Sequence, residues 1–275
     1  MKLDEIEVIF YIEGLGNDKK VLESALKETA EKLRRDKSLE IVDLKMEDVI
    51  ENSETETLKY SGMIEARLKG TLEAITIAAI KYAPAVVDII SPGKIEITAE
   101  ELMKVLGKVS YMMGELMEKF GPLAAYPKFD ELPEPKIGYT RDEIEEFIFN
   151  ERMIVYRFVV EAYGNDEEEV KIGLAKGLEY EGCKINKLVT KVQEENRGRK
   201  YILIALELVS SFETLFQLTA KYAPVAISII EPEIIDVTAY ELQGALVDLA
   251  GFAYELTTRP LKEKIIEKET FKFKL

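Results

Sequence analysis

Short apolar runs alternate with stretches in which apolar residues recur every three or four positions, and the alternation occurs twice along the chain. Apolar runs at 8–12 and 154–160 have the composition of buried strands. A Gly-Asn-Asp turn follows each run, and Asp18 or Asp166 stands where a helix N-cap is expected. Two strands, a second helix, a β-rich run and a long third helix complete each series. The order β-α-β-β-α-β-α predicts an antiparallel four-stranded sheet with helices on one face.

The later elements of each series have definite expected bounds. The strands are predicted at 39–49, 63–68, 184–192 and 202–209, and the second helices at 71–82 and 211–222. Pro84 and Pro224 end the second helices, because proline cannot continue a helix.

Two segments match each other without a gap and indicate an internal duplication. Lys81–Leu102 and Lys221–Leu242 are identical at twelve of twenty-two positions. The match predicts an α+β protein formed by tandem duplication of a ferredoxin-like β-α-β-β-α-β unit, with an added C-terminal helix per repeat and pseudo-two-fold packing. The expected domains are a first repeat, a Pro-rich linker with a short helix, and a second repeat with a basic tail, at 1–119, 120–152 and 153–275.

The most similar part of the two repeats is typical of helix starts. Thr98 with Glu101, and Thr238 with Glu241, have the spacing of a capping box. The third helices then share an apolar seam with 4-3-4-3 spacing, formed by Leu102, Leu106, Val109, Met113 and Leu116 in one and by Leu242, Leu246, Leu249, Ala253 and Leu256 in the other. Such a seam needs a partner. The partner is either the other third helix, across the pseudo-two-fold axis, or the sheet of the helix's own repeat.

The formal net charge of −15 bears on partners, because nucleic acids and anionic lipids are bound by clustered Lys and Arg. The tail Lys262–Lys274 is a local exception, in which lysines alternate with apolar residues, and it is predicted to be a solvated final strand. No apolar run approaches the roughly eighteen residues that a bilayer crossing needs. The amino terminus lacks a basic region followed by an apolar stretch, so a cytoplasmic protein is expected.

The composition also limits catalytic chemistry. Histidine is absent, which removes the most common general base and metal ligand. Cys183 is the single cysteine, so no intrachain disulfide and no cysteine-based zinc site can form. Its place at the start of a strand predicts a small buried side chain. No catalytic residue, metal ligand or cofactor is predicted.

Two kinds of position are candidates for binding a small ligand. The first is the strand-to-helix turn, where backbone amides and a helix N-terminus can receive an anion or an amino acid; its residues are Gly16, Asn17, Asp18, Gly164, Asn165 and Asp166. The second is the repeated pair at the end of the second helices, Lys81 with Tyr82 and Lys221 with Tyr222. The alternative is structural in both cases: a plain turn, and a Lys–Tyr pair that complements the helix dipole and packs on the core.

The pattern KYAP…II.P..I..TA.EL, which both repeats carry, resembles a family of uncharacterised archaeal proteins. The strand order and the glycine turn after the first strand are also similar to ACT-type ligand-binding modules, although Gly-Asn-Asp stands here where those modules have a Pro-Gly turn. The ACT resemblance implies binding of an amino acid or a similar small ligand. Neither resemblance implies catalytic residues.

These patterns favour a non-enzymatic regulatory or interaction module that binds a small ligand or a protein partner at the interface between the repeats. The alternative is an enzyme that uses carboxylates and Mg²⁺ in the cleft between the repeats. Nucleic-acid binding through the sheet ranks last, with Tyr11, Tyr156 and Phe158 as its aromatic candidates. No nucleic-acid or membrane partner is expected. The chain is expected to be a monomer with pseudo-dimeric repeats or a homodimer.

Overall fold

A computed structural model of the 275-residue chain describes residues 5–51, 58–123, 132, 134–196 and 198–272, with side chains described as far as residue 259. The strands are β1 Ile6–Gly16, β2 Glu40–Met46, β3 Ile50–Glu51, β4 Tyr60–Gly70, β5 Val86–Ser91, β6 Lys94–Thr98, β7 Ile154–Gly164, β8 Lys184–Asn196, β9 Arg199–Ser210, β10 Ala226–Glu231 and β11 Ile234–Thr238. The helices are α1 Lys19–Arg35, α2 Leu72–Tyr82, α3 Ala99–Phe120, α4 Arg141–Phe149, α5 Glu167–Tyr180, α6 Phe212–Tyr222 and α7 Ala239–Lys272.

The structure is a mixed α+β protein with antiparallel sheets, as the sequence predicts. One sheet has the order β2-β4-β1-β5, with β3 also paired to β4, and another has the order β8-β9-β7-β10. In the first sheet β4 pairs antiparallel with β1, β2 and β3, and β1 pairs antiparallel with β5. In the second sheet β7 pairs antiparallel with β9 and β10, and β8 pairs antiparallel with β9. The strand expected at 39–49 is interrupted, since β2 ends at Met46 and pairing resumes at Ile50. β6 and β11 pair in a short two-stranded sheet.

Buried and more exposed residues alternate along the central strands, and this alternation identifies the buried face of each sheet. In β1, Val8, Phe10 and Ile12 are at most 6% exposed, whereas the intervening Ile9 and Tyr11 are half-buried. Because successive strand residues point to opposite faces, the first set forms the core beneath the helices and the second set forms an open face. β7 repeats the pattern, with Tyr156, Phe158 and Val160 in the core.

The chain forms two compact units, and each contains helices from distant parts of the sequence. The first unit comprises residues 1–95, 116–121 and 238–275, and the second comprises 96–115 and 122–237. Within the first, α7 packs on α2 and β5, and the Gln243 side chain accepts a hydrogen bond from the backbone N–H of Ile89 at 3.4 Å. Within the second, the Ser110 hydroxyl of α3 donates to the Pro224 carbonyl at 2.8 Å. The sequence left two partners open for each third helix, and docking on the sheet of its own repeat is the alternative that these contacts contradict.

The segment before β7 is an integral part of the second unit. Thr140 and Glu143 form a capping box at the start of α4. Ile144 of α4 packs on Val155 and Val209 of the second sheet. The Arg141 guanidinium binds both carboxylate oxygens of Glu231, at 2.7 and 3.0 Å. α4 thus covers one end of the open face of that sheet.

The basic tail does not form the expected final strand. The backbone of α7 is helical through Lys272. Lys and Glu dominate the tail, and both are good helix formers. Among the helices as far as they are described, none combines the length and apolar character of a membrane span.

One buried hydroxyl in α2 gives a stability prediction. Thr76 is 1% exposed, and its hydroxyl is the one buried side-chain polar atom without a hydrogen-bond partner among the described residues. Thr76→Val keeps the shape and removes the unsatisfied group, so the free energy of unfolding should rise by about 1 kcal/mol in a denaturant titration. The matched control is Thr219→Val in α6, whose equally buried hydroxyl donates to the Leu215 carbonyl at 2.7 Å. Equal effects of the two substitutions would contradict this assignment.

Candidate functional site

The two Gly-Asn-Asp turns are built as helix starts. The Asp18 carboxylate accepts the backbone N–H of Val21 at 3.1 Å, and Asp166 accepts that of Glu169 at 2.9 Å. A side chain on Gly164 would clash with Val170 in the first turn of α5. Capping therefore accounts for Asp18 and Asp166, close packing accounts for Gly164, and a carboxylate already occupies each helix N-terminus.

The repeated Lys-Tyr pairs meet acidic residues at the ends of the first helices. Lys81 Nζ lies 3.5 Å from an oxygen of Asp36, the C-cap of α1, and the Tyr82 hydroxyl lies 3.5 Å from the same oxygen. Lys221 Nζ contacts Glu181, the C-cap of α5, at 2.5 Å. Tyr222 is the last residue of α6.

The electrostatics of Asp36 favour this pairing. Partial burial acts to raise its pKa, but hydrogen bonds from Ser38 and the charge of Lys81 outweigh burial and lower the pKa below its usual value. For Tyr82, burial together with the charge of Asp36 raises the pKa. Asp36 is thus ionised and Tyr82 neutral at pH 7, and the cluster links the ends of α1 and α2.

The predicted ligand-binding residues fall into separate groups. The turn residues lie at the N-terminus of α1 or α5, and the lysines contact the C-cap of the same helix. α1 has 17 residues and α5 has 14. At 1.5 Å per residue the two groups are roughly 20–25 Å apart, so they do not line one small-ligand pocket in either unit.

The repeated Thr-Ala-x-Glu block forms the expected capping boxes. The Glu101 carboxylate accepts the backbone N–H of Thr98 at 3.1 Å, and Glu241 accepts that of Thr238 at 2.7 Å. Each threonine hydroxyl in turn accepts the backbone N–H of the glutamate.

Loss of one cap should cost measurable stability. Thr238→Ala is expected to lower the free energy of unfolding by about 1 kcal/mol, because it removes the hydroxyl that accepts the Glu241 backbone N–H and donates to the Glu241 carboxylate. Thr257→Ala, at an exposed site on the same helix, should change it by less than about 0.5 kcal/mol. Urea denaturation of the two variants measures the difference, and a cap loss no larger than the control would refute the assigned role.

Cys183 is the small buried side chain that the sequence predicts. It is 1% exposed, and its sulfur lies 3.6 Å from the Tyr156 hydroxyl, which also contacts the Ser210 hydroxyl at 2.9 Å. Burial raises the pKa of the Cys183 thiol to about 12, so thiolate chemistry near neutral pH is excluded. Within the described part of the chain, no three Cys, Asp or Glu side chains are grouped to hold a metal ion.

The open face of the first sheet carries paired charges beside the apolar side chains of Ile9, Tyr11 and Val86, of which Val86 is 47% exposed. Arg67 Nε lies 2.5 Å and Lys69 Nζ lies 3.6 Å from the two carboxylate oxygens of Glu7. Lys45 Nζ lies 3.3 Å from Glu65 on the neighbouring strands. Exposed ion pairs of this kind are well solvated.

The open face of the second sheet has a different surface beyond α4. In register across β7, β9 and β8, the side chains of Val159, Ala205 and Val189 form an apolar row. Leu203 and the pair Tyr163 and Tyr201 extend this surface toward the far end of the strands. We call these six residues the distal face: Val159, Tyr163, Val189, Tyr201, Leu203 and Ala205.

The distal face is exposed where its side chains are largest. Val189 is 64% exposed and Tyr163 is 61% exposed. The rings of Tyr163 and Tyr201 stack with centroids 5.1 Å apart, and the Tyr201 hydroxyl donates to Glu161. Exposed neighbouring apolar side chains of this kind are characteristic of interaction surfaces.

Basic side chains surround the distal face. Between it and α4, Arg157 and Lys187 each contact Glu207 at 2.8 Å, and the Asn186 amide donates to the same carboxylate at 2.7 Å. Burial acts to raise the pKa of Glu207, but the hydrogen bonds from Lys187, Arg157 and Asn186 outweigh it and lower the pKa to about 2. The carboxylate side chain is 9% exposed, whereas Arg157 and Lys187 are 61% and 64% exposed, so the cations face the solvent.

Sequence reasoning did not identify this face. Tyr156 and Phe158, two of the aromatic candidates for nucleic-acid binding, are at most 1% exposed and belong to the core. The sequence feature that could have revealed it is the alternation along β7 and β9, which places Tyr163, Tyr201 and Leu203 on the same face of the sheet. Alternation along a strand divides its residues between two faces, but it does not determine which of the two faces the helices cover.

Fold and surface define an α+β protein of two compact units with antiparallel sheets, in which the open face of each sheet carries both ion pairs and apolar side chains. Residues 7–263 match the model of the MJ0538 family, and the chain belongs to that family. It is 29% identical over 256 residues to "Uncharacterized protein MJ0538" of Methanocaldococcus jannaschii, an alignment that covers 90% of this chain and 96% of that protein. No solved structure matches the chain significantly. Neither description names an activity.

Proposed function

We propose that the protein is a non-enzymatic interaction module that binds a protein partner through the distal face. The observation that carries the proposal is the exposure of Val189 and Tyr163 on the part of the second sheet's open face that lies beyond α4. Burial of such side chains against a partner is favourable, because it removes apolar area from water.

The first sheet serves as an internal comparison. It has the corresponding strand order, yet its open face carries Lys45, Glu65 and Arg67 where the second carries Val189, Ala205 and Glu207 at the matching register positions. Charged side chains at these positions are therefore compatible with this topology. The apolar side chains of Val189 and Ala205 are not required by the fold, which favours a role in binding.

We also propose that the two sheets descend from one duplicated ferredoxin-like unit. The strand orders, the paired C-cap contacts of Lys81 and Lys221, and the two capping boxes support this origin. In this account one copy of the open face became a solvated surface and the other a binding surface. The buried thiol and the paired lysines give no support to a catalytic role.

Display selection tests the proposed function. A library of short peptides and a library of small helical scaffolds are selected against the full-length protein, and enriched binders are then measured against two variants. Val189→Glu places a charge in the distal face, whereas Val21→Glu makes the same change at an equally exposed site on α1, at 67% exposure. Most enriched binders should lose at least about tenfold in affinity with Val189→Glu and remain unchanged with Val21→Glu. Equal sensitivity to both substitutions would refute the proposed surface.

A further inference from the structure

We infer that the partner presents an acidic amphipathic helix, which packs on the distal face alongside α4. The inference rests on the proposed function and adds the secondary structure and the charge of the bound segment. Three features of the second unit carry it: the way α4 sits on the same face, the dimensions of the uncovered area, and the charges at its border.

α4 shows how this sheet face receives a helix. It packs Ile144 on Val155 and Val209, and the half-buried Phe147 and Ile148 join this contact. Val159 follows Val155 by four residues along β7, a separation of about 13 Å at 3.3 Å per residue. Helices pack side by side at about 8–10 Å. A second helix over the apolar row of Val159 would therefore fit on the same sheet face beside α4 without overlapping it.

The uncovered area has the size of a helix contact. From Val159 to Tyr163 the distal face extends about 13 Å along the strands, and β7, β9 and β8 span about 10 Å between their axes. An α-helix with side chains is about 10–12 Å wide, so two to three turns fill the area.

A helix also suits the backbone chemistry of a sheet face. The N–H and C=O groups of β7 and β9 are paired within the sheet plane, so they offer nothing to a segment lying on top. An extended segment there would leave its own backbone groups without partners, whereas a helix satisfies them internally.

The border of the distal face is basic, in a chain whose net charge is −15. Arg157 and Lys187 lie on the α4 side, Lys191 lies in register with Leu203, and Arg199 lies over the Tyr163 ring at 5.6 Å. On the same face, Glu207 is almost buried beneath two of these cations, and Glu161 is bonded to the Tyr201 hydroxyl.

The exposed carboxylates on this face, Glu161 and Glu194, are outnumbered by these four cations. The charge complementary to this border is negative, so acidic residues on the flanks of the bound helix would both strengthen binding and exclude basic competitors.

The sequences of the selected binders test the inference. Binders that lose affinity with Val189→Glu are taken from both libraries, in which acidic and basic residues are equally represented at the randomised positions. Helical scaffolds should outnumber extended peptides, and Asp and Glu should outnumber Lys and Arg by at least about threefold at positions flanking the apolar seam. Lys191→Glu should weaken these binders at least about fivefold, and raising salt from 0.05 to 0.5 M should weaken them further.

Each contrary outcome has a separate meaning. If no binder depends on Val189, the proposed function fails. If Val189-dependent binders are extended or carry basic flanks, the proposed function stands and the acidic helix is overturned. Binding of a mixed-sequence single-stranded RNA that Val189→Glu abolishes would overturn it in favour of a nucleic acid. A dimer of the full-length protein that Val189→Glu dissociates would overturn it in favour of a second copy.

Discussion

Leu246→Ala should lower the free energy of unfolding by about 3 kcal/mol, the largest loss expected from a single substitution considered for this protein. Leu246 is fully buried in the seam of α7, which packs on α2 and β5 in the first unit. Truncation removes apolar contacts and leaves a cavity that the surrounding helices and strands can close only in part. Denaturant unfolding followed by circular dichroism measures the loss.

The neighbouring residue on α7 provides the control. Val247 is 36% exposed and lies outside the buried seam, so Val247→Ala should change the free energy of unfolding by less than about 1 kcal/mol. A loss at position 246 no larger than the loss at 247 would contradict the packing of α7 in the first unit.

Glu207→Gln should lower the free energy of unfolding at pH 7 by about 2 kcal/mol. The folded-state pKa of Glu207 is about 2, below the ordinary value of 4.5, so the carboxylate contributes stability that is fully present above about pH 4.5. That contribution is lost as the pH falls toward 2, where the folded-state carboxylate becomes protonated. The full linkage value is reduced here, because Arg157 and Lys187 are more than half exposed to solvent.

The pH dependence separates this effect from a general loss of packing. The difference between the native protein and Glu207→Gln should shrink between pH 4.5 and pH 2, as measured by urea denaturation at each pH. Glu65→Gln is the matched control on the first sheet, where the carboxylate is 31% exposed and pairs with Lys45 at 3.3 Å, and it should cost less than about 1 kcal/mol. A Glu207→Gln difference that does not change with pH would show that the ion cluster is not its source.

Much of the local structure follows from sequence alone. The apolar alternation of β1 and β7, the N-caps Asp18 and Asp166, and the capping boxes at Thr98 and Thr238 depend on residues within a few positions of each other. Hydrogen bonds and side-chain parity act over the same short range, so their patterns predict the elements. The burial of Cys183 was predictable for the same reason, from its position at the start of an apolar strand.

The docking of the third helices, α3 and α7, depends on contacts between residues that are far apart in the sequence. The seams of α3 and α7 have the same spacing, so a seam alone does not say which sheet will bury it. The deciding contacts, such as Ser110 with Pro224 and Gln243 with Ile89, join residues more than a hundred positions apart.

The distal face escaped sequence reasoning for a related reason. Its apolar row of Val159, Ala205 and Val189 exists only in the register of β7, β9 and β8. The docking of α5 and α6 determines which of the two sets of alternate β7 residues is buried. The core position of Tyr156 is a consequence of that docking, because its hydroxyl finds Ser210 and Cys183 inside the unit.

Methyl-selective NMR tests directly whether a partner binds through the distal face. The full-length protein, labelled at Val, Leu, Ile and Ala methyl groups, is titrated with the most enriched binder from the selection made without any variant. If the distal face is the binding surface, the largest chemical-shift changes and the contacts with the binder should occur at Val159, Val189, Leu203 and Ala205. Ile9 and Val86 on the first sheet should change little. Changes concentrated on the first sheet, or spread evenly over both, would contradict binding through the distal face.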